Sequence, residues 1–382
     1  MKKVVFLTHW AQHMGGAEYS LLELLRYAVK QFDCYLVTTE DGPLVDRAIQ
    51  FGVTHRCVPC SSQIELFRRG NLLSAGFKNI PALFGYIVFV IRLFFLLRKV
   101  NPDIIHANVP KSHISLGLLL RMGLHAEGVI HIREIFERKT FAYHIYSRLI
   151  SRRIRGIAIS HAVYRNLPSH MQKCSTVIYN GIHIPPAFPR YKRTYRPLRL
   201  LYLGRIVPWK GCHELLDIVE ELLHTRPRLL TLSLVGNTAY WDIEYRNQLH
   251  KRIEESSCLH GFVTLKRHQD SIAEIFSEHD IFCTTSYMEP FGRSTAEAQA
   301  YGLPVIAYNS GGVDEVVVDG KSGILVKWQE RAQFQKAIIT ISENRTLIGS
   351  MGAYGAKHAA ANFESSRQGQ KMIDFLMKLV DS

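Results

Sequence analysis

The 382-residue chain has no Asp-x-Asp pair, no internal repeat, no low-complexity tract and no hydrophobic run of the roughly 20 residues that a membrane span needs. The first of these absences removes a common paired-carboxylate signal for metal binding, so no metal ion and no other cofactor are expected. The start, MKKVVFLTHW, is basic, but its apolar run breaks by His9, too short for the core of a signal peptide; it reads as a first strand, and the expected location is the cytoplasm. Cysteines number seven, an odd count scattered along the chain, which suits a reducing compartment. Cys57-Val58-Pro59-Cys60 has no second pair, so a metal or redox centre is set aside. Acidic residues are also scarce. Against 47 Lys and Arg stand 33 Asp and Glu, a net charge of +14, which calls for an anionic partner: nucleic acid, an acidic membrane surface or a phosphorylated substrate. No aromatic stacking motif or zinc module supports nucleic acid. Much of the excess lies in the first half, at Arg68-Arg69, Arg98-Lys99, Arg152-Arg153 with Arg155, and Arg190 to Arg199, and clustering of this kind describes a surface.

What is present is a regular alternation. KVVFL, CYLVTT, DIIHA, GVIHIR and GIAIS alternate with helical patterns, including helices from about Ala17 and Leu44, and strands alternating with helices build parallel sheets. A stretch rich in proline and basic residues follows, and then the alternation restarts with LRLLYLGRI, LTLSLVGN, GFVTL, IFCTTS and PVIAYN. The length is about twice that of a usual domain. The expected plan is therefore α/β: a Rossmann-like domain over residues 1–185, a linker over 186–198, and a second Rossmann-like domain over 199–364. An amphipathic helix over 365–382 closes the chain and packs back on the first domain. Ligands of open α/β sheets bind beyond the carboxyl ends of the strands, which places a cleft between two such domains. Residues 82–98, ALFGYIVFVIRLFFLLR, are the most apolar segment; they read either as a helix buried in a domain or as one lying in a membrane interface, with Arg92, Arg98 and Lys99 toward lipid phosphates.

The segment EPFGRSTAEAQAYGLPVIAYNSGG, 289–312, has two carboxylates eight residues apart, Glu289 and Glu297. Pro290 removes a donor and pushes Glu289 toward extended backbone, so the helix is expected to begin near Ser294 or Thr295, with Glu289 before it and Glu297 in its first turn. The N–H groups of Phe291, Gly292 and Arg293 then approach a helix N-terminus, which favours an anion. Carboxylates beside an anion site suit a ligand that also carries hydroxyls, such as a sugar joined to a nucleotide through phosphates. Taken alone, the spacing reads first as that of a capping acid and a helix-face acid. Gly15-Gly16-Ala17-Glu18, between the first strand and a helix, allows a backbone to approach a ligand closely. Arg205 and Lys210, within one loop after a strand, could hold two phosphates, the Arg by its planar fork, or could be solvated surface charges.

Together these pieces resemble the family-4 retaining glycosyltransferases, which have the GT-B architecture of two Rossmann-like domains. The resemblance runs over essentially the whole chain, through GGAE, DIIHA, the YNGI segment at Asn180-Gly181, LGRIVPWKG, LVGN, HGFV and, as its most specific part, EPFGRSTAEAQAYGLPVIAYNSGGVDEVV with the Glu-x7-Glu motif. It implies that Glu289 binds donor-sugar hydroxyls, that Glu297 binds the ribose, and that Pro290, Phe291 and Gly292 lie between them toward the sugar and diphosphate. Arg205 and Lys210 match the pair that neutralises the diphosphate and stabilises it as a leaving group, a role that can substitute for a metal. Gly15 and Gly16 match the loop that closes on the phosphate, Gly236 the LVGN turn on the donor side, and Gly261, Phe262 and Val263 the wall of the base pocket. Many relatives have a histidine just after the strand that here reads GVIHIRE; Arg133 occupies that register, Glu134 follows it and His131 lies two residues earlier, so the donor-sugar or acceptor contact is left between Arg133 and His131.

The implied partners are a nucleotide-sugar donor, UDP- or GDP-linked, a saccharide or lipid-linked saccharide acceptor, and an anionic membrane surface, with no nucleic acid. The implied reaction moves a sugar from the nucleotide to a hydroxyl in cell-surface polysaccharide or glycolipid synthesis. A nucleotide-sugar epimerase, which would need no acceptor, is the first rival, and the EPFG block argues against it. The second is a non-catalytic binder of nucleotide sugars or of anionic surfaces, which would tolerate loss of Glu289.

Overall fold

The computed structural model describes residues 1–12, 14–60, 80–136, 143–144, 147–148, 154–186, 197–238, 242–267 and 271–381. Arg68, Arg69, Arg152, Arg153 and most of the expected linker, 187–196, lie outside the described residues.

The chain divides into two compact units, residues 1–181 with 366–382, and residues 182–365. The first contains a seven-stranded parallel sheet in the order β3-β2-β1-β4-β5-β6-β7, formed by β1 (Lys3–Leu7), β2 (Asp33–Thr38), β3 (Thr54–Cys57), β4 (Ile104–Ala107), β5 (Glu127–Ile132), β6 (Ile154–Ala158) and β7 (Ser175–Val177). The second contains a six-stranded parallel sheet in the order β10-β9-β8-β11-β12-β13, formed by β8 (Leu198–Leu203), β9 (Leu230–Val235), β10 (Val263–Lys266), β11 (Ile281–Thr284), β12 (Val305–Asn309) and β13 (Gly323–Lys327). These are two doubly wound α/β sheets, as the alternation of patterns implies. Their central strands are buried along their length instead of alternating: Val4, Val5 and Phe6 are fully buried and Leu7 nearly so, as are Leu200, Leu201 and Tyr202. Continuous burial is the mark of a sheet covered on both faces.

In each sheet the strand order reverses once beside the first strand, between β1 and β4 and between β8 and β11. At those points the loops after adjacent strands run to opposite faces and leave a crevice. The groups described below gather around both.

The helix Ser365–Val380 belongs to the first unit, where Met372, Ile373 and Leu376 join the core formed by Val4, Phe6 and Leu25. Gly369 permits this contact, because a β-carbon there would stand 2.5 Å from the Tyr27 ring. The second unit begins at Ile182, before the expected linker, because that residue is paired with the segment entering the last helix: Ile182 N–H donates to Phe363 O at 2.8 Å and Ser365 N–H to Ile182 O at 2.9 Å.

Candidate functional site

In the second unit, β8 ends at Leu203 and the loop Gly204 to Val207 leads into a single 3-10 turn, Pro208–Lys210. Gly211 then takes a left-handed conformation, φ +74°, and opens the helix Cys212–Thr225. Its backbone lies against the segment after β11: a β-carbon at Gly211 would stand 2.3 Å from Thr285 O, and Thr285 Oγ1 donates to Gly211 O at 2.7 Å. The two loops flanking the crevice are thereby locked together beside Lys210. Gly236 plays a similar part on the other side of β8, where a β-carbon would stand 1.7 Å from Gly204 O. Its glycine is required by loop packing whether or not a ligand approaches.

Glu289 is carried on the β11 side. Met288, with φ +49°, is one of few non-glycine residues in the left-handed region, and its N–H donates to Ser310 Oγ at 2.7 Å. Glu289 O accepts from Gly312 N–H at 2.7 Å, and Gly311 has no room for a β-carbon against the Glu289 backbone. So held, the carboxylate is buried and forms an ion pair with the Lys210 ammonium across the crevice. Lys210 Nζ also lies 4.5 Å from the Trp209 ring centroid, and the Arg205 guanidinium carbon lies 5.9 Å from the same centroid, so both cations lie near the one indole. Arg205 itself is exposed. Lys210, Ser286, Glu289, Gly292 and Thr295 line a small cleft at this point.

Gly292, φ +88°, caps the helix Arg293–Ala300. The helix begins one or two residues earlier than Ser294 or Thr295, because the left-handed glycine rather than a hydroxyl side chain makes the turn. Glu297 accordingly stands in the second turn, not the first, and pairs with Arg293 at 2.8 Å, an i,i+4 contact. Each acid of the Glu289–Glu297 pair thus has a basic partner within reach, Lys210 for one and Arg293 for the other. The Phe291 ring is buried against Phe363, with centroids 5.3 Å apart, so only its backbone can serve a ligand. Pro290, half-buried, links it to Glu289.

Phe262 and Val263 are not brought to this cleft. Val263 opens β10 and pairs with Leu232, three residues before the carboxyl end of β9, and both side chains pack on the core. Lys266 and Arg267 are the residues at the carboxyl end of that strand.

The first unit has its own constellation around the β1/β4 crevice. Gly15 precedes the helix Gly16–Ala28 in extended backbone, and its N–H donates to Glu18 Oε2 at 2.9 Å, so Glu18 of GGAE closes the helix start on itself. At Gly16 a β-carbon would meet open space. His131 is an interior residue of β5, whereas Arg133 lies past its end and reaches sideways to three groups: Asn108 Oδ1 at 3.0 Å after β4, Asn180 Oδ1 at 2.8 Å after β7, and His131 Nδ1 at 3.1 Å. A guanidinium can only donate, so His131 Nδ1 accepts and the ring is neutral. Burial, and then the Arg133 charge, hold the His131 pKa well below the usual histidine value. The two residues differ in depth: Arg133 is presented at the strand end and His131 supports it from behind. Glu134, half-buried, follows. Ser20 also donates to Asn180 at 3.2 Å. Asn108, Asn180 and Ser20 are members of this cluster that the sequence reading leaves unassigned; an asparagine directly after a buried strand, as in IIHAN, is the signal available for Asn108.

Among the described residues no group of three or more His, Cys, Asp or Glu is placed to hold a metal ion. Nor is any helix long and apolar enough to cross a membrane.

A sequence profile described as "Glycosyl transferases group 1" matches residues 188–358, and one described as "Glycosyltransferase Family 4" matches residues 14–184. The spore coat protein SA of Bacillus subtilis is 25% identical over 240 residues, 58% of this chain and 63% of its own length. A D-inositol 3-phosphate glycosyltransferase of Streptomyces bingchenggensis is 33% identical over 198 residues, 48% of this chain and 43% of its own length. The chain thus matches less than two thirds of the length of either relative. Among solved structures, Anabaena HepE in complex with UDP and glucose superposes with a TM-score of 0.80 at 22% identity, covering 99% of this chain and 100% of that one. This likeness establishes the two-unit fold, that of the GT-B glycosyltransferases.

Proposed function

Since the chain belongs to the group 1, family 4 glycosyltransferases, we propose that it moves a sugar from a nucleoside diphosphate to a hydroxyl of a saccharide acceptor, with the anomeric configuration kept and without a metal ion. The observation that carries this reading is the Lys210–Glu289 pair at the switch point of the second sheet, immediately before the helix Arg293–Ala300. A diphosphate entering there takes the Lys210 ammonium as its counter-charge, with Arg205 as the second cation, and leaves Glu289 free to accept from sugar hydroxyls. Glu297, one helix turn further, is assigned to the ribose. In the transfer step the bond from the anomeric carbon to the diphosphate oxygen breaks, the acceptor oxygen bonds to the same face of that carbon, and the acceptor proton passes to the departing diphosphate. The cations stabilise the charge that develops on that leaving group. Arg133, supported by Asn108, Asn180 and His131, is assigned to the sugar or the acceptor. The acceptor we assign is a saccharide carried on a lipid, in keeping with the basic, apolar first half of the chain. HepE, of the same fold, has been solved with UDP and with UDP-glucose, which puts UDP first among the nucleotides to be tested.

The test is calorimetric titration of the full chain with UDP, GDP and ADP in the presence of a chelator, alongside Lys210→Ala. Micromolar binding of one nucleotide, weakened at least about tenfold in the variant, is expected, the loss of one desolvated charge-assisted contact. Silence from all three nucleotides and from their sugar-charged forms would overturn the reading.

A further inference from the structure

The helix Ile80–Val100 is apolar except for Arg92, Arg98 and Lys99 and contains no acidic residue. A helix of that composition is stable in water only where something apolar covers every face. Its own unit covers one. Phe89, Val90, Leu93 and Leu97 are buried; Phe89 lies 5.3 Å from the His9 ring, and Tyr86 Oη is 2.8 Å from Ser115 Oγ on the helix Pro110–Arg121. On the opposite face Leu83, Phe84, Ile87, Ile91 and Phe95 are exposed by 52, 67, 48, 42 and 65%. Phe84, Ile87, Ile91 and Phe95 fall within roughly 80° of the helix circumference, so they form one continuous ridge rather than scattered surface residues. Arg92 and Lys99 are exposed along one flank of the same ridge, and Arg98 is exposed at its carboxyl-terminal end, where it lies along the Phe94 ring at 5.8 Å.

We propose that this ridge lies in the interface of an anionic lipid bilayer, with Phe84, Ile87, Ile91 and Phe95 among the acyl chains and Arg92, Arg98 and Lys99 on the lipid phosphates. The charge pattern selects this occupant. An apolar stripe with cations along one flank and at its carboxyl end, with no acid on the helix and +14 on the chain, complements a surface that is apolar inside and negative at its rim. Pairing the ridge with a second copy across a two-fold axis would bring together two Arg92 charges, since Arg92 sits near the helix midpoint. Among the described residues no helix is long and apolar enough to cross a membrane, and Phe89, Val90, Leu93 and Leu97 hold this one in the core of its own unit, so the helix lies in the plane of the surface. The inference stands on this helix alone and holds whether or not the chain transfers sugar.

The test is sedimentation of the full chain with phosphatidylcholine vesicles, with and without phosphatidylglycerol. Two variants are compared with the natural chain: Arg92→Gln/Arg98→Gln/Lys99→Gln, and Phe84→Ser/Phe95→Ser. All five changed side chains are exposed, so folding, checked by circular dichroism, is expected to be kept. The natural chain is expected to bind the anionic vesicles and to be released by salt. The triple variant should lose affinity on the order of a hundredfold, about fivefold per charge, and the double variant more than tenfold. Failure of the natural chain to bind anionic vesicles, or equal binding by all three proteins, would overturn the proposal. So would a dimer of the natural chain that the double variant converts to a monomer without any vesicle binding, because a second copy would then be the occupant. Nucleotide titration of the same preparations separates the two readings: vesicle binding with no nucleotide binding would overturn the transferase and leave the membrane face standing.

Discussion

A β-carbon at Gly211 would stand 2.3 Å from the carbonyl oxygen of Thr285, in a backbone whose φ of +74° already disfavours any side chain. Gly211→Ala must therefore shift either the loop that presents Lys210 or the segment that leads to Glu289. The expected cost is about 2 kcal/mol or more, combining left-handed strain with the displaced contact. It would be read as a lower urea midpoint together with weaker nucleotide binding; unchanged binding would mean that the Lys210 loop is not held by this contact. Glycine in LGRIVPWKG is legible as a turn, but the neighbour that forbids a side chain is about seventy residues away in the sequence and is visible only in the fold. The same limit applies to His131 and Arg133. Two residues apart on a strand, they point to one side, and no pattern of residue types separates them; depth does, since β5 ends at Ile132 and leaves Arg133 beyond it. Lys210 and Glu289 were legible as a charged loop residue and a loop acid, while their pairing was not.

Elements with long apolar runs are legible because burial on both faces leaves little choice of residue. The five strand patterns of each half occur in the sheets. By contrast, β7 is three half-buried residues, and β13, Gly323–Lys327, is an edge strand whose burial is interrupted, so neither stands out as a hydrophobic run. Helix starts depend on single residues, which is why Arg293–Ala300 begins ahead of its Ser and Thr. The start of Gly16–Ala28 depends on Glu18, which is buried and accepts from the Gly15 N–H. Glu18→Ala is expected to destabilise the chain by about 1 kcal/mol, the usual worth of a capping interaction, while Glu18→Gln, which keeps an acceptor, should recover much of that. Urea denaturation of both variants checks it, and equal losses would show that charge, rather than the hydrogen bond, supports the helix start.

At the scale of the whole molecule, two α/β units were readable from an alternation that restarts, yet the assignment of the last helix to the first unit rests on Met372, Ile373 and Leu376 packing there, a long-range fact that the amphipathic pattern states only as a need for some partner. Stability as a whole should depend on pH through the same unit. His9, His106 and His113 are buried, and burial, the largest cause for each, pushes their pKa values down to about 3; the Lys111 charge adds to this for His9 and the Arg133 charge for His106 and His113. In the unfolded chain each histidine takes up a proton near pH 6.5, while in the folded chain it stays neutral until about pH 3. The unfolded state therefore binds more protons throughout that window, and stability, fully present above pH 6.5, falls as the solution is acidified, by roughly 1.4 kcal/mol per pH unit for each such histidine. The urea midpoint is expected to decline steeply between pH 6.5 and about 4. The His106 ring is buried against the rings of Phe6 and His131, so His106→Leu, an apolar side chain of similar size, should leave stability at neutral pH little changed while making the decline shallower by about one proton. An acid slope identical to that of the natural chain would show that His106 takes up its proton in the folded state and that the cluster opens to water before the chain unfolds.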